Sequence, residues 1–268
     1  MRAHRLGAAR RVAAATRPRT AAARPGPPTS PAVKRFYRQA GVEVAEGGCR
    51  VVLDGKPIRT PAGRVLSLPT RALAEAIAEE WQGQGERVRP STMPVMQLAC
   101  TALDRVAEVR EAIVAETMKY AETDLICHRA AEPPELVARQ KLAWDPFVAW
   151  VEGKFGAKLA VVTGIMPAQQ SADAVAALAK AVTRLDTWRL TALQALVGPL
   201  GSLAIALAVV GGDWPAETAF EVAAVDDLWQ REKWGSDAEA ERVLAARRVD
   251  IVAAGRLTRL VATQSGSC

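Results

Sequence analysis

The residues best suited to acid–base chemistry are Asp124 and His128, which lie four positions apart with Glu122 close by. A carboxylate that orients an imidazole can support proton transfer, so these side chains are candidates for a general acid or base. His128 is the only histidine of the chain besides His4. A capping or ion-paired role for Asp124 is the interpretation we favour. A small enzyme with a site around Asp124 and His128 is the alternative function.

Other signatures of catalysis are missing from the sequence. It contains no G-x-x-x-x-G-K-[ST], G-x-G-x-x-G or G-x-S-x-G motif, so the common phosphate-binding and nucleophile motifs are absent. Carboxylates are adjacent at Glu79–Glu80 and Asp226–Asp227, but neighbouring helical residues point about 100° apart and do not converge on one atom. The cysteines show no paired spacing, which argues against a zinc site or a disulfide framework. They are Cys49, Cys100, Cys127 and Cys268. We therefore predict no enzymatic activity, no cofactor and no metal site.

Charge is distributed unevenly along the 268 residues. Residues 1–41 hold ten basic side chains and no acid, whereas the rest holds 25 basic and 29 acidic side chains. The net charge of +6 therefore comes from the amino terminus, and it is no argument for nucleic-acid binding by the folded part. An arginine-rich leader without acids is typical of a transit peptide. We predict a basic leader over residues 1–33 and a location in the mitochondrial matrix; a disordered basic tail and a bacterial cytoplasmic location are the alternatives.

The pattern of apolar residues changes from strands to helices along the chain. From Gly41 to Pro69, apolar and polar residues alternate and turn residues recur, which predicts a small antiparallel sheet. Helical patterns follow, beginning with one capped by Thr70, and they dominate after Gly164. The predicted fold class is α+β, with a small antiparallel β-containing N-terminal domain followed by a larger all-helical C-terminal domain. The predicted domains are residues 34–130, mixed, and 131–268, mainly helical.

One stretch is long enough to cross a bilayer. Residues 190–212 carry no charge over 23 positions. Polar residues such as Thr191 and Gln194 argue against spanning, so we predict a buried helix over 187–211 that is kinked at Pro199, and no stable membrane insertion. A membrane anchor formed by residues 190–212 is the alternative.

Tryptophans and acids cluster near the carboxyl end. Trp229, Gln230 and Trp234 precede a run of acids that includes Asp237 and Glu239. Core packing and a solvated helix face are the usual uses of such residues, but tryptophan is also enriched at protein interfaces. The cluster is therefore a candidate surface for recognising a partner.

Many short segments together resemble the ATP synthase mitochondrial F(1) complex assembly factor 2 family. They follow one another at family-like spacing over about residues 34–262, and the family usually has tyrosine where this chain has His128. The segments that carry the resemblance are Lys34–Tyr37, Leu53–Pro57 with Thr60–Pro61, Leu68–Pro69 with Leu73–Ala74, Ala78–Trp81 with Gln84, Met93–Pro94, Tyr120–Arg129, Gln140, Trp144–Pro146, Gly201–Leu203, Trp229–Gln230 and Lys233–Gly235.

The resemblance implies a function as well as a fold. Members bind the unassembled alpha subunit of the ATP synthase catalytic head, prevent its aggregation and hand it to the beta subunit, without a cofactor. We expect a monomeric assembly chaperone that binds no nucleic acid. Our hypothesis for the client-binding residues is Trp229, Gln230, Trp234, Asp237 and Glu239. We expect Trp81, Trp144 and Asp145 to be structural, with Trp81 and Asp145 fixing the junction between the two parts.

Overall fold

The computed structural model describes residues 33–164, 168–235 and 237–262. The predicted leader lies outside the described residues except for Val33. His4 and Cys268 also lie outside them.

A small antiparallel sheet forms the beginning of the described chain. Its strands are β1 (Ala40–Ala45), β2 (Gly48–Leu53), β3 (Lys56–Pro57) and β4 (Ser67–Leu68), and β2 pairs with the other three. The side chains of Cys49, Val51 and Leu53 are buried while those between them are half-buried, which confirms the predicted alternation. Cys49 takes part in a disulfide bond. The spacing of the cysteines, which argued against a disulfide framework, did not predict this bond, and Cys100 and Cys127 are free thiols.

Helices make up most of the remaining chain. The first, α1 (Arg71–Gln82), packs on the sheet, and the Thr70 side chain caps it by accepting from the Leu73 amide at 3.2 Å. The others are α2 (Pro94–Thr101), α3 (Arg110–Glu122), α4 (Pro134–Phe155), α5 (Ala172–Thr183), α6 (Thr187–Leu200), α7 (Leu203–Val210), α8 (Ala216–Ala223), α9 (Val225–Trp234) and α10 (Ala238–Ala262). Two short parallel strands, β5 (His128–Arg129) and β6 (Val162–Thr163), pair before α5. The predicted α+β class is confirmed.

The uncharged stretch forms two helices instead of the single kinked helix predicted over 187–211. α6 ends at Leu200 because Gly201 adopts a left-handed conformation (φ 64°), and Ser202 then caps α7 by accepting from the Ile205 amide at 3.1 Å. Pro199 lies in the last turn of α6 and does not kink a continuous helix. The chain instead changes direction at Gly201, which acts as the C-terminal cap of α6. Every residue of α7 is buried. Among the described residues, no helix has both the length and the apolar content to cross a membrane.

The last helix changes character along its length. Residues 251–262 of α10 are mostly buried against α6, α8, α2 and α1. The Thr70 hydroxyl donates to the Leu260 carbonyl at 2.7 Å, which joins the start of α1 to the end of α10. Residues 238–250 are mostly exposed. One end of α10 is therefore anchored to the core, and the other projects from it.

Candidate functional site

The candidate site lies at the corner where α9 ends and α10 begins. α9 stops at Trp234 because Gly235 takes a positive φ of 77°, a conformation that glycine adopts without strain. Asp237 caps the next helix, since its Oδ1 atom accepts from the amides of Glu239 at 2.9 Å and Ala240 at 2.7 Å. Asp237 therefore has a local structural role, which fixes where the exposed side chain of Glu239 is presented.

Two tryptophans form one apolar unit at this corner. Trp229 is 7 % exposed and Trp234 is 72 % exposed, and their rings meet edge to face with centroids 5.2 Å apart. The buried Nε1 atom of Trp229 has no hydrogen-bond partner among the described residues. Lys233 lies over the Trp229 ring at 6.0 Å. The buried ring of Trp229 therefore packs against Trp234 and holds it in place, while most of the Trp234 indole is exposed to solvent.

Helix α4 holds α9 in place through polar contacts. Gln140 Nε2 donates to Asp226 Oδ1 at 2.7 Å, Lys233 pairs with Glu135 at 2.8 Å, and Arg139 pairs with Glu232. Burial raises the pKa of Asp226 above its usual value, so the hydrogen bond from Gln140 compensates for lost hydration. Sequence reasoning missed these α4 partners because a periodic pattern does not reveal which helices pack together.

The run of acids is largely neutralised by arginine and lysine. Asp227 pairs with Arg247 at 2.8 Å, and Glu241 pairs with Arg231 at 3.3 Å. Glu239, in contrast, makes no ion pair within the described part of the chain. The surface is therefore not a uniform acidic patch: Glu239 supplies an unpaired carboxylate in the first turn of α10, where the helix dipole favours a negative charge.

Beyond the corner, the first half of α10 has few neighbours. Within residues 238–250, only Glu241, Leu244 and Arg247 are half-buried, and their spacing of three places them within about 120° of the helix circumference. Val243 and Val249 are 63 % and 58 % exposed. A wide helical surface is therefore open beside Trp234.

The residues predicted to be structural lie elsewhere. Trp144 is fully buried, and its Nε1 donates to the Val222 carbonyl at 2.8 Å. Asp145 pairs with Arg129 at 3.0 Å, and the Arg129 guanidinium lies 5.1 Å from the centre of the Trp144 ring. The three side chains connect β5 to α4.

Trp81 packs close to the amino-terminal segment. Its ring meets the Tyr37 ring with centroids 5.5 Å apart, and the Tyr37 hydroxyl donates to the Trp81 carbonyl at 2.6 Å. These contacts lie within residues 34–130. The role of Trp81 and Asp145 at a junction between two domains remains a prediction.

The carboxylate of Asp124 accepts hydrogen bonds from backbone amides. It is buried and accepts from Ala204 at 3.0 Å, at the start of α7, and from Ile126 at 3.3 Å. Burial raises its pKa to about 6. No hydrogen bond joins Asp124 to His128, both of which the structure describes, and the described residues contain no cluster of side chains suited to a metal ion. The geometry favours the structural role of Asp124.

Comparisons with known proteins point to one family. The model of the family described as ATP12 chaperone protein matches residues 34–152. Protein atp12, mitochondrial, of Schizosaccharomyces pombe is 25 % identical over 229 residues, which cover 81 % of this chain and 79 % of that protein.

Two solved structures share the fold over most of the chain. Atp12 from Paracoccus denitrificans superposes with a TM-score of 0.81 at 39 % identity, covering 85 % of this chain and 98 % of that one. The chaperone-like protein Atu1473 from Agrobacterium tumefaciens gives 0.79 at 39 % identity, covering 84 % and 85 %. This level of identity over nearly the full length of a relative reflects common descent as well as a common fold. The chain belongs to the ATP12 chaperone family.

Proposed function

We propose that this protein is an assembly chaperone that binds the unassembled alpha subunit of the ATP synthase catalytic head. It prevents aggregation of that subunit and hands it to the beta subunit. Membership of the ATP12 chaperone family supports this role, as does the similarity to the mitochondrial Atp12 protein of Schizosaccharomyces pombe. An alpha subunit without its partner exposes apolar surface meant for the beta subunit, and such surface aggregates unless it is covered.

One observation carries the proposed position of the client: the largely exposed indole of Trp234, supported by the buried ring of Trp229. A large, rigid side chain held by a packed neighbour is the typical anchor of a protein interface. Gln230 and Glu239 are exposed near this anchor and form a polar rim, while Asp237 holds the start of α10 in place. We propose that the client covers Trp234 and the exposed half of α10.

Such a surface is suited to temporary binding. One anchor with a polar rim gives a moderate affinity, because few side chains supply most of the binding free energy. The beta subunit can then displace the chaperone by offering the client a larger apolar interface. Within this proposal the protein acts as a monomer, without a cofactor and without catalysing a reaction.

We also propose a location in the mitochondrial matrix. The acid-free, arginine-rich leader and the mitochondrial relative support it. The bacterial relatives make the bacterial cytoplasm the alternative. Fusing residues 1–33 to a fluorescent reporter separates the two, because only a transit peptide directs the reporter into mitochondria.

The function is tested with residues 34–268 and separately expressed alpha and beta subunits. The protein is mixed with each unassembled subunit at equal molarity, complexes are isolated by pull-down, and aggregation is followed by light scattering. We expect selective capture of alpha, suppressed scattering, and release when beta is added. Capture of neither subunit, or equal capture of both, contradicts the proposal.

A further inference from the structure

A groove with a basic rim lies between α5 and α7, and neither α9 nor α10 contributes to it. Its volume is about 790 Å³. Lysine and arginine side chains from three helices stand around it, and an apolar floor lies between them. The rim residues are Lys154, Lys180, Arg184 and Arg189. The floor includes the half-buried side chains of Phe155 and Leu185, with the buried residues Leu207 and Val210 beneath them.

Small side chains on α5 create the groove. Ala176, Ala177 and Ala181 line it, so α5 does not fill the space in front of α7. The lining positions on α5 and just after it run from residue 176 to residue 185, a length of about 14 Å at 1.5 Å per residue. This length accommodates between two and three turns of a helix.

Two of the four cationic side chains of the rim form ion pairs within the described part of the protein, and the other two do not. Lys154 pairs with Asp213, and Arg189 pairs with Asp186 at 2.8 Å. Lys180 and Arg184 form no ion pair with any residue that the structure describes. Lys180 lies in the last turn of α5, and Arg184 follows that helix directly with a right-handed helical backbone (φ −81°, ψ −10°). Their spacing of four positions therefore places both side chains on the same side, over the same groove. Two unpaired cations beside an apolar floor are complementary to a ligand that carries carboxylates beside apolar side chains.

The helix ends around the groove indicate which kind of anion it can bind. A compact anion such as phosphate binds backbone N–H groups at a helix N-terminus. α5 and α7 bring their C-terminal ends to this groove, and the N-terminus of α6 is already capped by Asp186, which accepts from the Arg189 amide at 2.9 Å. Carboxylates on flexible side chains need only the lysine and arginine groups at the rim.

We propose that this groove is a second binding surface, whose partner is an acidic amphipathic peptide segment of another protein. Apolar side chains of the segment lie on Phe155 and Leu185, and its carboxylates pair with Lys180 and Arg184. The proposal does not depend on the identity of the client at the α9–α10 corner.

The test uses residues 34–268 and a fluorescein-labelled helical peptide of 16 residues. The peptide carries leucines at helical spacing and glutamates on both flanks, and binding is followed by fluorescence anisotropy. Two control peptides replace every glutamate with glutamine or every leucine with serine. We expect saturable binding of the acidic peptide that weakens as salt rises, and at least tenfold weaker binding of either control.

Protein variants locate the binding. The double substitution Lys180→Glu with Arg184→Glu should weaken binding at least tenfold. Ala176 is an exposed residue that lines the groove. The uncharged substitution Ala176→Leu narrows the groove and should therefore weaken peptide binding as well. Lys56→Glu with Lys141→Glu makes the same charge change at exposed positions outside the groove and should leave binding within twofold.

Several results would overturn the inference. They are a lack of saturable binding to the wild-type protein, equal binding of all three peptides, and equal loss in the two double variants. Binding of vesicles rich in phosphatidylglycerol through Lys180 and Arg184, without binding of the peptide, would also overturn it and assign the groove to a lipid surface.

Discussion

Substitution of the exposed tryptophan is the most direct test of the α9–α10 corner. Trp234→Ala removes an indole that is 72 % exposed and touches Trp229 at its edge. A tryptophan side chain has roughly 200 Å² of surface, so about 150 Å² of it is available to a client. At about 25 cal/mol per Å², covering that area contributes about 3.8 kcal/mol to binding. Its loss should raise the Kd for the alpha subunit by roughly 600-fold.

The same substitution should disturb the fold little. Trp234 is anchored mainly through one edge-to-face ring contact, which contributes about 1 kcal/mol. Trp144→Ala should behave in the opposite way. That ring is fully buried and donates a hydrogen bond to Val222, so its loss should lower the free energy of unfolding by about 3–5 kcal/mol.

The assay is biolayer interferometry with immobilised unassembled alpha subunit, combined with urea unfolding of each variant. Phe36→Ala is the matched control, because Phe36 is a 69 % exposed aromatic residue with a single edge-to-face ring contact, to Tyr37, outside the corner. We expect its affinity to stay within twofold of wild type. If Trp234→Ala also stays within twofold, or if it unfolds the protein, the assignment of Trp234 as a client anchor is refuted.

Three further predictions follow from single residues. Glu239→Lys reverses an exposed, unpaired carboxylate, so it should weaken alpha binding at least fivefold, while the loss of its favourable interaction with the helix dipole lowers Tm by only about 2–4 °C; unchanged affinity of the folded variant refutes its place in the rim. The raised pKa of Asp124, about 6 against 3.8, means that the folded chain holds a proton that the unfolded chain releases. Stability should therefore fall by roughly 3 kcal/mol as pH rises from about 4 to about 6, and Asp124→Asn should lack this decline in urea titrations; parallel profiles would contradict the assignment. Gly255→Ala would place a Cβ atom 2.4 Å from that of Ala216, so urea unfolding should show a loss of about 1–3 kcal/mol; equal or greater stability would show that α8 and α10 can separate freely there.

Local patterns were enough to predict much of the fold. The alternation of Cys49, Val51 and Leu53 predicted strand β2, and Thr70 marked the start of α1, because strand periodicity and helix caps depend on neighbours in the chain. The short motifs also supported membership of the family without any structural information. Pro199 indicated an interruption in the uncharged stretch, but the change of direction at Gly201 was not predicted, because a left-handed glycine cannot be distinguished from an ordinary helical glycine by pattern alone.

The functional surface depended on contacts between residues that are distant in the chain. The sequence by itself placed Trp229 and Trp234 together near the carboxyl end. Only the tertiary structure made Trp229 a buried support and Trp234 an exposed tip, because packing of α9 on α4 decides which ring is covered. The same holds for α10, whose second half is anchored to α1 through Thr70 and Leu260 while its first half is left open. Burial is a property of the packed chain, so composition and periodicity identify the residues of a site but not which of them reach a partner.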